Sequence, residues 1–130
     1  MIAKDIMTRD VITVNPTMTV KSLAMMLIKN QISGAPVADK VGKIVGVVSE
    51  SDIVAKKGKD VKSIMSKKII SVREETPVEE IARMMTTHHI KRLPVMNDGK
   101  KVVGIVSRAD IVSAIALGKH VALHTPVYDL

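Results

Sequence analysis

Hydrophobic positions fall in short blocks whose period changes along the chain. Residues 11–14 (Val-Ile-Thr-Val) and 69–72 (Ile-Ile-Ser-Val) are β-branched runs of strand type. After the second run, Val78, Ile81, Ala82 and Met85 recur at helical spacing and predict a half-buried helix. Thr76 is its expected N-cap, Pro77 its first residue and Glu79 the reciprocal member of a capping box. Val20, Leu23, Ala24 and Leu27 form the same stripe after the first run, with Met18 at the capping position. Segments 36–38 and 44–48, and again 94–96 and 102–106, read as pairs of strands joined by tight turns, Asn97-Asp98-Gly99 being the stronger turn signal. A last helix is expected to open at Ser51-Asp52 and at Ala109-Asp110, directly off the preceding strand.

These blocks are one unit used twice. A shift of 58 residues lays 5–55 over 63–113 without a gap, and about a third of the pairs are identical. The best match puts Gly46-Val47-Val48-Ser49-Glu50-Ser51-Asp52-Ile53-Val54 over Gly104-Ile105-Val106-Ser107-Arg108-Ala109-Asp110-Ile111-Val112. A strand, helix, strand, strand, helix unit leaves one sheet face uncovered. Two units are therefore expected to pack sheet to sheet, in an α/β (α+β) fold with pseudo-twofold symmetry and two equivalent clefts. The expected divisions are residues 1–58, 59–117 and a tail, 118–130, outside the repeat. The tail carries His120 and His124 and reads as a strap or a partner-binding strand.

Composition narrows the function classes. The 130 residues are 46% hydrophobic, enough for one core or two small ones. There is no cysteine, which excludes disulfides, zinc-thiolate sites and cysteine nucleophiles. No apolar run approaches the roughly 20 residues of a membrane helix, and no leader pattern is present, so a cytoplasmic protein is expected. With one aromatic residue against nine methionines, a flat ligand has to be sandwiched by aliphatic side chains and backbone. The net charge of +7 attracts polyanions in general.

The candidate chemistry sits where a strand ends in Gly-x-x-Ser-x-x-Asp and runs into a helix. Ser49 with Asp52, and Ser107 with Asp110, place a hydroxyl, a carboxylate and backbone N–H groups together. That set suits phosphate, and the carboxylate suits the two hydroxyls of a ribose. The same residues are also good N-caps. Adjacent His88 and His89 diverge on a helix and favour a C-terminal role over a shared metal. No nucleophile is paired with a base and no phosphate loop is present, so no enzyme, catalytic residue, metal or cofactor is expected.

The order Ile-Met-Thr, β-branched strand, helix, Ser-Gly-Ala-Pro-Val and Gly-Val-Val-Ser-Glu-Ser-Asp-Ile-Val resembles a CBS domain, and the second copy resembles one too. The resemblance runs from about residue 3 to 117 and implies a freestanding CBS-domain pair, or Bateman module. It also implies a regulatory role: sensing AMP, ADP, ATP or an S-adenosylmethionine-like compound. Carried over by motif, one cleft would use Ser107 and Asp110, with Ile12, Ile32 and Ser33 around the base. The other would use Ser49, Ser51 and Asp52, with Ile70, Ile90 and Lys91 opposite and Lys91 and Arg92 on phosphate. The resemblance further implies a homodimer through methionine-rich helices and a regulated protein partner. The alternatives are a nucleic-acid binder using the lysines at 40, 43, 56, 57, 59, 62, 67 and 68, or a purely structural dimerisation module.

Overall fold

A computed structural model describes residues 1–118, and the tail expectations, with His120 and His124, lie outside them. The chain divides into two compact units. One is Ile12–Ile69; the other joins Met1–Val11 to the chain from Ile70 onward.

In the Ile12–Ile69 unit, helix α2 (Val20–Asn30) turns Leu23 and Leu27 inward. The hairpin β1 (Gly34–Ala38) and β2 (Ile44–Ser49) lies against it, paired antiparallel from Gly34–Ser49 to Ala38–Ile44. Helix α3 (Glu50–Ala55) follows β2 without a loop. The short helix α4 (Val61–Ile64) then buries Val61 and Ile64 in the same core.

The other unit repeats this plan with a displaced first piece. Strand β3 (Val72–Arg73) runs parallel to β4 (Arg92–Met96), which pairs antiparallel with β5 (Val102–Ser107). Helix α5 (Val78–His88) buries Val78, Ile81 and Met85, as its periodicity predicts. Helix α6 (Arg108–Ala116) leaves β5 directly and buries Ile111 and Ala114. The short helix here is α1 (Ala3–Ile6), from the start of the chain, and Ala3 and Met7 join the core of Leu93, Val95 and Val106.

The compact units are therefore offset from the sequence repeats. The leading segment of the first repeat packs in the unit built from the second, while the equivalent segment, 61–66, packs with the first. Backbone pairing fixes both. Thr8 exchanges hydrogen bonds with Ile105, and Ser66 with Val47. Glycine makes room at each contact. A Cβ on Gly46 would lie 2.7 Å from Met65 Sδ and 2.8 Å from Ser66 O, and one on Gly104 would run into Met7.

Several local expectations change. The strand expected at 11–14 shrinks to one parallel bridge, Val14 to Val37, because the residues before Val14 meet no partner strand. Pro77, not Thr76, is the N-cap residue of α5, and Thr76 Oγ1 instead accepts from Arg73 N–H in the turn before it. In the first repeat, Thr19 rather than Met18 caps α2, accepting from Ser22 N–H at 3.1 Å.

Candidate functional site

In both units the strand-to-helix junction is built by the same hydrogen bonds. Gln31 caps the end of α2 and His89 that of α5 in the left-handed conformation, with φ of 55° and 54°. The next residue closes the helix end, Ile32 N–H on Leu27 O at 3.1 Å and Ile90 N–H on Met85 O at 3.0 Å, as in a Schellman turn. This closure delivers Ser33 and Lys91 to the start of the hairpin. Their carbonyls accept from Glu50 N–H and Arg108 N–H, each at 2.9 Å, at the first residue of the last helix. Ile32 and Ser33 thus lie beside Ser49, and Ile90, Lys91 and Arg92 beside Ser107, with Gly34 opposite Ser49 and Arg92 opposite Ser107 in the ladders. Ile12 and Ile70 precede Val14 and Val72, which run parallel to β1 and β4, so both lie toward this end of their sheets. Each half of the site residues therefore gathers at one end of its own unit. Ser51 lies in the first turn of α3 and is exposed.

The two carboxylates are half-buried and differ in what they hold. Asp110 Oδ2 accepts from Ser107 N–H at 2.8 Å, and Ser107 Oγ accepts from Asp110 N–H at 3.1 Å, the reciprocal pattern of a capping box. Asp52 Oδ2 accepts from Ser49 N–H at 2.9 Å and faces Ser49 Oγ at 3.4 Å. Its other oxygen, Oδ1, pairs with Lys56 Nζ at 2.9 Å. Lys56 went unnoticed as a site residue, although the Asp–Lys i, i+4 spacing signals such a pair.

The remaining candidates are simpler. His88 ends α5 and His89 is its cap, and no group of acidic and histidine side chains that could hold a metal occurs among the described residues. Of the linker lysines, 57, 59, 62, 67 and 68 are exposed. Met7 and Met85 are buried, most of the other methionines are half-buried, and Met25 is 63% exposed. A polar recess lined by Arg73, Glu75, Asn97 and Asp98 lies at the other end of the β4–β5 hairpin, away from Ser107. No described helix is long and apolar enough to cross a membrane.

Comparison with known proteins gives these junctions a context. The chain is 34% identical over 113 residues to an L-aspartate semialdehyde sulfurtransferase of Methanocaldococcus jannaschii, covering 85% of this chain and 22% of the enzyme. It thus spans about a fifth of that relative's length. Among solved structures, the CBS domain pair of protein MJ0100 in complex with 5′-methylthioadenosine and S-adenosyl-L-methionine superposes with a TM-score of 0.85 at 33% identity, over 92% of this chain and 98% of that one. CBSX2 in complex with AMP superposes with a TM-score of 0.86 at 29% identity, again over 92% and 98%. The CBS domain pattern matches residues 3–58 and 61–117. The chain belongs to the CBS-domain family and carries two of these domains in tandem.

Proposed function

We propose that this chain is a regulatory module that binds an adenosyl compound and passes its occupancy to a protein partner. One observation carries the reading: both repeats hold a half-buried carboxylate beside a serine at the strand-to-helix junction, in a chain that matches adenosyl-bound CBS pairs over almost their whole length. A carboxylate accepts both hydroxyls of a ribose, and the neighbouring serine hydroxyl suits a phosphate or a ribose oxygen. Ile12, Ile32, Ile70 and Ile90 offer aliphatic surface for the base, and Ser33 and Ser51 offer further hydroxyls. Lys91 and Arg92 supply the cations for phosphate. Regulation requires the ligand to prefer one arrangement of the module over another, because equal affinity for both shifts nothing.

Equilibrium dialysis of the whole chain against labelled AMP and S-adenosyl-L-methionine, with GMP as competitor, tests the proposal. Saturable binding that unlabelled adenosyl compounds displace and GMP does not is the expected result. Binding of neither compound, or equal displacement by GMP, would overturn it.

A further inference from the structure

The two junctions are copies in sequence but not in electrostatics, and the difference centres on Lys56. Its ammonium is held from two sides, by Asp52 Oδ1 at 2.9 Å and by the carbonyl of Ile64 at 3.1 Å, the last residue of α4. Helix C-termini leave carbonyls without intrahelical partners, so Ile64 O is a natural acceptor. With Ser49 N–H on Oδ2, both oxygens of Asp52 are engaged. In the second repeat, the position equivalent to Lys56 is Ala114, buried in the core as α6 runs on past the point where α3 stops. Asp110 Oδ1 has no partner among the described residues, while Oδ2 carries the capping bond.

The flanking charges differ in the same sense. The first residue of α3 is Glu50, and that of α6 is Arg108. Arg108 N–H bonds the carbonyl of Lys91, next to Arg92, whereas Glu50 N–H bonds that of Ser33, next to Gly34. The residues that open the two helices therefore carry opposite charge, a carboxylate on α3 and a guanidinium on α6.

Building on the adenosyl-binding reading above, we infer that Asp110 is the principal ribose-binding carboxylate. Lys56 is the residue that makes the repeats unequal, by occupying Asp52. The Lys56 side chain is 44% exposed against 15% for Asp52, so its hold is a competitor that a ligand displaces at a cost, not a permanent block.

Titration calorimetry of the full chain with AMP, and separately with S-adenosyl-L-methionine, tests this. Wild type is expected to bind a first equivalent at least about tenfold more tightly than any second, the scale of one charge-assisted hydrogen bond. Asp110→Asn should weaken that first equivalent by about tenfold or more. Lys56→Met should tighten the second equivalent by about two- to fivefold, the scale of a half-exposed ion pair. The double variant Lys56→Met/Asp52→Asn should lose that gain. Lys56→Arg, which keeps a cation and guards against a folding defect in the methionine variant, should behave as wild type. Two equivalents of similar affinity in wild type, or Lys56→Met leaving the second unchanged, would overturn the inference while the adenosyl-binding reading stands. No binding of either compound to wild type would overturn both.

Discussion

Thr8 and Ile105 exchange two backbone hydrogen bonds, 2.9 and 3.0 Å long, that fasten the start of the chain to the last strand of the second repeat. Ser66 and Val47 repeat the arrangement at 2.8 and 2.9 Å in the other unit. Each hairpin therefore gains a neighbouring segment from outside its own sequence repeat, and Met7 or Met65 follows it in over a glycine.

Met7→Ala should destabilise the protein by about 2 kcal/mol or more, since the side chain is 9% exposed within the core of the second-repeat unit. Hydrogen exchange should then accelerate in β4 and β5 before β1 and β2. Faster exchange confined to β1 and β2 would contradict the pairing of Met7 with Gly104.

Gly46→Ala and Gly104→Ala should both cost stability, in the range of about 1–3 kcal/mol for overpacking, with Gly46→Ala the worse. At Gly46 the new methyl meets the carbonyl of Ser66, fixed by its two bonds to Val47, whereas at Gly104 it meets the flexible Met7 side chain. Urea midpoints of the two variants decide the order.

Gln31 and His89 hold a conformation that costs a side-chain-bearing residue about 1 kcal/mol and glycine almost nothing. Gln31→Gly and His89→Gly should each leave stability unchanged or raise it by up to about 1 kcal/mol, with chemical denaturation as the readout. A loss of stability would show that these side chains do more than close a helix.

The repeat, the two helical stripes and both hairpins were legible because each rests on a period or turn signal carried by its own residues. The helices α1 and α4 were not, since four residues hold no period. The exchange of leading segments was hidden for a different reason. Ile6-Met7 and Ile64-Met65 are the same dipeptide facing equivalent glycines, so either could serve either hairpin by sequence alone. At the site, Ser49, Asp52, Ser107 and Asp110 were readable as a motif, but the occupation of Asp52 by Lys56 depends on where α3 stops, a boundary that sequence patterns place poorly.

Helices α3 and α6 leave Val54 and Val112 at equivalent positions 87% and 62% exposed, with Leu117 at 74%. We propose these apolar faces, in place of the methionine-rich helices expected from the sequence, as the surface of a homodimer. Light scattering should give twice the chain mass for wild type and a monomer for Val54→Asp/Val112→Asp. A monomeric wild type would refute dimerisation.

Adenosyl binding is tested most directly by the thermal unfolding of the full chain with and without ligand. A ligand at about a hundred times its dissociation constant stabilises the folded state by about 2.7 kcal/mol, several degrees in Tm for a protein of this size. AMP, ADP, ATP, S-adenosyl-L-methionine and 5′-methylthioadenosine should include at least one compound that produces this rise, reduced in Asp110→Ala, while GTP does not. No rise with any adenosyl compound, or an equal rise with GTP, would contradict the account.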